Sequence, residues 1–209
     1  MRADVFVEDF GALAARLQAK GLPIYGMFLN LGAADGVWSD PLTEFIRQDR
    51  ANGVAVEADP ARCAQYKENF PMVKTLCLRI TPASLPAIVA AMVTRVYDIL
   101  KIDIDSYDCD VLRDLLGRYG HRPSCILLEF NPAFPPPFEF AVRYHSSWDK
   151  LDMTVLPTAY ENGRLAYGCS LSYIARMLAS FDPGYVLLQV FKKDAMFVRV
   201  DVANAPGQP

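Results

Sequence analysis

The stretch Phe28-Leu29-Asn30-Leu31-Gly32-Ala33-Ala34-Asp35-Gly36 constrains this chain more than any other. An apolar strand runs into a glycine turn of the form G-x-x-x-G, and the next apolar run, Val54-Ala55-Val56, delivers Glu57. In a wound α/β sheet such a turn lets the backbone approach a nucleoside-bearing ligand, and the acid accepts hydrogen bonds from ribose hydroxyls. Dinucleotide folds use G-x-G-x-x-G, because a pyrophosphate must sit on the helix N-terminus. Here Ala33 and Ala34 follow Gly32, and Asp35 precedes Gly36. An acid in that turn repels a diphosphate and suits a cationic ligand. S-adenosylmethionine carries a sulfonium and an ammonium and meets that requirement.

Along the chain, apolar residues at Phe6, Phe10, Leu13, Ala14 and Leu17 share one helical face, and Gly21 and Pro23 stop that helix. Five β-α units are predicted after it. The strands are Gly26–Leu31, Gly53–Glu57, Lys74–Ile80, Tyr97–Asp105 and Cys125–Phe130. The helices run over Pro41–Arg50 with Ser39 or Asp40 as N-cap, from Asp59-Pro60 to about Asn69, from Thr81-Pro82 to about Thr94, and over Cys109–Tyr119. Asn131–Pro137 holds four prolines and excludes regular structure. Phe138–Tyr167 is aromatic and mixed in polarity and carries no clear period. A helix over Ser170–Phe181 and an antiparallel hairpin, Tyr185–Phe191 with Met196–Val202, complete the pattern. The 209 residues read as a single domain, with an N-terminal helical segment over 1–25 and a loose tail over 203–209.

Composition narrows the partners. The chain is 52% hydrophobic and 22% charged with net charge −3, which fits a globular protein and lacks the basic face that nucleic-acid binding needs. No apolar run reaches the ~20 residues of a membrane span, and Met1-Arg2-Ala3-Asp4 is not laid out as a signal peptide. Cys63, Cys77, Cys109, Cys125 and Cys169 are scattered and odd in number, so reduced, buried thiols in the cytoplasm are expected, without a structural zinc.

Leu100-Lys101-Ile102-Asp103-Ile104-Asp105-Ser106-Tyr107-Asp108-Cys109-Asp110-Val111-Leu112 resembles the K-I-D-[IV]-[ED]-G-x-E-x-x-V-L pattern of FkbM-type proteins, within the class I S-adenosylmethionine-dependent methyltransferases. Ser106 stands where glycine is usual. Glu129-Phe130-Asn131-Pro132 with Pro135-Pro136-Pro137, and Gly168-Cys169-Ser170-Leu171, resemble elements of one branch of that family. The resemblance covers about residues 26–200. It implies an α/β, Rossmann-like fold: a seven-stranded, mostly parallel sheet with a C-terminal antiparallel hairpin and helices on both faces. It also implies methyl transfer to an oxygen, with a hydroxyl of a sugar or another small acceptor as the first candidate, and leaves a homo-oligomer open. The class carries Asp or Glu where Asn30 stands. Asn30 accepts a hydrogen bond but lends no charge, and Asp35 could supply it.

Candidate cofactor contacts are Asn30, Gly32, Ala33, Asp35, Gly36, Glu57 and Asp103, with Ile80 and Thr81 where the class places adenine. A side chain at Gly32 is expected to block the ligand. Asp103 and Asp105 are two apart on a strand, so their carboxylates share a face, and Glu129 and Asn131 repeat this on the next strand. Asp103, Glu129 and Asn131 form an oxygen-only candidate set for Mg²⁺ or Mn²⁺, and the spacing of Asp98 and Asp103 is similar to that of metal-dependent O-methyltransferases. The competing reading makes Asp105 and Asp108 charges at a helix N-terminus and Asn131 a turn former. Asp105, Asp108 and His145 are candidate bases. His121, in a loop, is expected to face solvent. Phe134, Phe138, Phe140, Tyr144, Trp148, Tyr160 and Tyr167 either line an acceptor pocket or pack a lid. Two other functions compete: a nicotinamide-dependent oxidoreductase, since Glu57 follows Gly32 by 25 residues, and a non-catalytic cofactor-binding module or partner of a glycosyltransferase.

Overall fold

Seven strands, β1 (Met27–Leu31), β2 (Asn52–Glu57), β3 (Lys74–Cys77), β4 (Val96–Ile102), β5 (Arg122–Glu129), β6 (Tyr185–Phe191) and β7 (Asp194–Arg199), form one sheet in the order β3-β2-β1-β4-β5-β7-β6. The computed structural model describes residues 15, 18, 24–38, 40–47, 51–146 and 167–204. The first five strands are parallel, and β7 is inserted antiparallel between β5 and β6. Strand order reverses at β1, which pairs with β2 on one side and β4 on the other. Ligands of open α/β sheets bind in the crevice at that switch point.

Strand alternation sorts the core onto two faces. Leu29, Leu31, Val54, Val56, Leu100, Ile102, Ile126 and Leu128 point to one face, where α3 (Leu85–Ala91), α4 (Asp108–Arg113) and α5 (Leu171–Ala179) cover them. Phe28, Ala55, Ile99, Cys125 and Leu127 point to the other, under Phe45 and Ile46 of α1 (Thr43–Arg47) and Tyr66 of α2 (Pro60–Asn69). Asp59 caps α2 by accepting from Ala61 and Arg62 N–H, and Ser170 caps α5 by accepting from Tyr173 N–H. Asp40 accepts from Leu42 N–H at the start of α1.

Several expected boundaries move. β3 stops at Cys77 and not at Ile80, and β4 stops at Ile102 and not at Asp105, because the chain bends away from the ladder where Asp105 takes φ +53°. The helix expected over Cys109–Tyr119 is α-helical only to Arg113 and continues as a π turn over Asp114–Arg118. The hairpin turn is two residues, Lys192-Lys193, and the chain after Arg199 is a short helix, α6 (Val200–Ala203), in place of the expected strand end. Residues 15 and 18 are helical. The rest of the expected N-terminal helix, Ser39, residues 48–50, Trp148, Tyr160 and the end of the tail lie outside the described residues. Among the described residues no helix is long and apolar enough to cross a membrane.

Two expectations are corrected. Disulfides join Cys63 to Cys77 and Cys109 to Cys169, leaving only Cys125 as a free, buried thiol. The topology brings together cysteines that sequence spacing leaves apart, and thiol usage no longer argues for a reducing compartment. His121 is fully buried, not solvent-facing: the turn at Gly120 (φ +69°) returns the chain under the sheet, and His121 Nδ1 lies 3.1 Å from the Tyr97 hydroxyl.

Burial, and then the Arg95 charge, hold the His121 imidazole down to about 4 from its ordinary 6.5. Unfolding exposes a ring that takes up a proton below 6.5, so this stabilisation is complete above that pH and is lost as pH falls towards 4. The loss amounts to about 3 kcal/mol. His121→Gln, compared with wild type by chemical denaturation across pH 4–7, should flatten the acid limb by that amount. Parallel limbs would contradict the assignment.

Candidate functional site

The glycine turn is built by backbone contacts. Gly32 and Ala33 N–H both donate to the Val56 carbonyl, at 3.0 and 3.1 Å, which ties the end of β1 to β2. Asp103 N–H donates to the Leu31 carbonyl at 3.0 Å, tying it to β4. Gly32 adopts φ +78°, and a methyl group built on it would overlap the Asp103 carbonyl. Before it could obstruct a ligand, a side chain here obstructs the protein's own backbone. Gly36 (φ +73°) packs against the Tyr66 and Phe70 rings.

Glu57, buried at the end of β2, receives Ala34 N–H on Oε2 and Asp59 N–H on Oε1, each at 2.8 Å. One carboxylate thus braces both the glycine turn and the entry to α2, while each oxygen keeps acceptor capacity. Asp35 accepts from Val37 and Trp38 N–H on Oδ1 at 3.0 and 2.9 Å, and these bonds hold its carboxyl below the ordinary value. Asn30 is fully buried: its Nδ2 donates to Asp40 at 2.7 Å, and its Oδ1 meets no close donor among the described residues. Asp40 was expected only as a helix cap, and Tyr66 carried no signal in the sequence motifs.

Across the turn, Asp103, Asp105 and Glu129 each offer an oxygen, all within 4.8 Å of one another. The Asp105 carboxyl is raised by lost solvation and then by Asp103. Glu129 is raised by burial and further by Asp103 and Asp105, against the pull of Lys193, whose ammonium lies 2.9 Å from Glu129 Oε1. Lys101 is buried in β4, donates to the Gly32 carbonyl at 3.0 Å, and lies 3.6 Å from Asp103. These two lysines were missed in the sequence. The signal for Lys101 was a lone cation in a strand of otherwise apolar, doubly covered positions, where a charge requires a partner.

Other candidates are placed elsewhere. Asn131 Nδ2 donates to the Tyr167 carbonyl and its Oδ1 accepts from Ala133 N–H, both at 3.0 Å, as a turn former would, while the acids that come together are Asp103, Asp105 and Glu129. Asp98 sits at the start of β4, accepting from Tyr25 and Met27 N–H on the opposite edge of the sheet. Asp108 is buried, accepts from Ile104 and Ser106 N–H at 2.9 and 3.0 Å, and is pushed up to about 6, chiefly by burial. It closes the loop after β4. Ile80 is buried with its carbonyl accepting from the Tyr107 hydroxyl, and Thr81 forms a turn with Ser84. His145 is exposed. Phe134 and Phe140 stack with ring centroids 3.9 Å apart.

With strand order, turn and acidic crevice in place, comparison with solved structures decides the fold. Cofactor-bound Rv0187 from MTB matches with a TM-score of 0.53 at 13% identity, over 95% of this chain and 83% of that one. The SAH-bound Podospora anserina methyltransferase PaMTH1 matches at 0.51 and 18%, over 84% and 72%. An O-methyltransferase family protein from Burkholderia thailandensis matches at 0.51 and 10%, over 90% and 55%. The chain has the Rossmann-like methyltransferase fold. It matches no protein-family model and no curated protein sequence.

Gly32→Ala tests the backbone origin of this methyltransferase-type turn. The ligand-free variant should lose about 2–3 kcal/mol, a fall in Tm of about 5–10 °C. An unchanged melting curve with weakened ligand binding would restore the obstructed-ligand explanation.

Proposed function

We propose that the protein is an S-adenosylmethionine-dependent methyltransferase acting on an oxygen of a small hydroxylated acceptor, a sugar being the leading class. One observation carries the reading: Glu57, at the end of β2, braces the glycine turn at the switch point while keeping acceptor capacity on both oxygens. A ribose diol can use that capacity, and the Gly32, Ala33, Ala34 and Gly36 N–H groups that could meet a pyrophosphate already donate within the protein. The methyltransferase fold of the neighbours and the antiparallel β7 favour this reading over a nicotinamide oxidoreductase.

When bound, S-adenosylmethionine supplies an electrophilic methyl group. The chain itself must hold the acceptor oxygen in line with that carbon and remove the acceptor's proton. Asp105 is our candidate to take that proton, because its carboxyl is raised and Asp103 and Glu129 flank it. Asp108 and His145 are weaker bases here, the first enclosed by loop amides and the second outside the acidic cluster. Asp103, Asp105 and Glu129 form an oxygen-only set that suits Mg²⁺ or Mn²⁺ and would orient the acceptor oxygen, while Lys193 and Lys101 already offset part of the charge.

Calorimetry with S-adenosylhomocysteine and with a nicotinamide dinucleotide tests the cofactor. Micromolar affinity for the first and none for the second is expected, and the reverse would overturn the reading. Glu57→Ala should weaken S-adenosylhomocysteine by about one to two decades, as loss of a charge-assisted partner costs roughly 1.5–3 kcal/mol. Some thermal stability should be lost too, because Ala34 and Asp59 N–H lose their acceptor. Unchanged affinity in the folded variant would remove Glu57 from the ribose.

Asp105→Asn should lower methyl transfer to a panel of hydroxylated acceptors by about 10²–10⁴-fold, with S-adenosylhomocysteine affinity little changed. Turnover abolished by EDTA and restored by Mn²⁺ would assign the divalent ion. Turnover that survives EDTA but fails in Asp105→Asn would leave the carboxylate acting alone.

A further inference from the structure

The Cys63–Cys77 disulfide stands beside Glu57, the residue on which the cofactor reading rests. Cys77 ends β3 as the register partner of Glu57, and Leu78 N–H donates to the Glu57 carbonyl at 3.0 Å. On the other side, Glu57 Oε1 receives Asp59 N–H, and the Asp59 carbonyl accepts from Cys63 N–H at 2.9 Å. Asp59 also caps α2 through Ala61 and Arg62 N–H. The disulfide therefore bonds covalently the two elements that bracket Glu57: the end of β3 and the first turn of α2. The opening of α2 follows Glu57 directly, so any freedom gained there is transmitted to the carboxylate through the Asp59 amide.

The two bonded cysteine residues differ in exposure. Cys77 is exposed, whereas Cys63 is fully buried. A soluble thiol can reach the Cys77 side from solvent. Cys109 and Cys169, joined in the other disulfide, are both fully buried, and so is the free Cys125 to within 1%.

Resting on the S-adenosylmethionine reading above, we propose that the Cys63–Cys77 bond is a redox switch on cofactor affinity, opened by a dithiol reductant. A thiolate of the reductant attacks Cys77 Sγ, the S–S bond breaks, and Cys63 leaves as a thiolate that takes up a proton. The second thiol of the reductant then displaces Cys77. Two protein thiols and an oxidised reductant result, with two electrons and two protons transferred. The reduced form keeps its fold, since β2 and β3 remain paired through their ladder, but the end of β3 is released from α2. A carboxylate held in its competent place for only a fraction of the time binds with an affinity reduced by that fraction.

The test titrates S-adenosylhomocysteine by calorimetry into oxidised protein and into protein treated with dithiothreitol. Peptide mapping of alkylated cysteines reports which bonds have opened. Opening of Cys63–Cys77 should raise the Kd about tenfold, the result of about one-tenth occupancy of the competent form. Cys77→Ser should bind like the reduced protein and be indifferent to dithiothreitol. Equal affinity before and after proven reduction of Cys63 and Cys77 overturns the switch and leaves the cofactor reading intact. Oxidised protein that binds no S-adenosylhomocysteine overturns the cofactor reading and the switch together.

Discussion

Where β1 leaves the sheet, Gly32 lies against the Asp103 carbonyl with no room for a β-carbon, and the rest of the site depends on that approach. It brings the end of β4 under the glycine turn, which lets Leu31 and Asp103 share a backbone hydrogen bond and lets Lys101 reach the Gly32 carbonyl. It also ends β4 at Ile102, so the next residues are free to bend and carry Asp105 back over Asp103. A single missing methyl group thus couples the turn that would cradle a nucleoside to the acids that would face the acceptor. Glu57 makes the same coupling on the other side, towards β2 and α2.

Charge is the second organising constraint. Three carboxylates within 4.8 Å cannot all ionise without compensation, and two lysines supply part of it from opposite directions, Lys101 from inside the sheet and Lys193 from the hairpin turn. The hairpin turn accepts φ +53° at Lys192, a conformation glycine would take more easily. The Lys193 carbonyl also receives Phe130 N–H at 2.7 Å, which locks the turn to the end of β5. The antiparallel hairpin accordingly helps to build the crevice as well as closing the sheet.

The β-α order, the glycine turn, the acid ending β2 and the closing hairpin were all legible in the sequence, because each has a local signature in periodicity or turn chemistry. The convergence of Asp103, Asp105 and Glu129 was legible for a reason that proved incomplete. Strand pleating was the expected cause, whereas Asp105 arrives by a left-handed backbone turn after the strand has ended. For Asn131 the turn-forming alternative describes the bond to Ala133 N–H, whereas its partner Tyr167, 36 residues on, has no local signature in the sequence. The two disulfides and the burial of His121 were invisible for a common reason: each depends on which segments the topology makes neighbours, at separations of 14, 60 and 24 residues.

In the proposed site, Glu57 and the glycine turn together form the ribose side of an adenosyl pocket at the β1 switch point. A crystal structure with S-adenosylhomocysteine measures this directly. The ribose hydroxyls are expected about 2.5–2.8 Å from the Glu57 carboxylate oxygens, a charge-assisted hydrogen-bond distance, with the amino-acid end of the ligand crossing Gly32 towards Asp103. A ligand bound at the opposite edge of the sheet, or one whose ribose leaves Glu57 bonded to Ala34 and Asp59 alone, would contradict it.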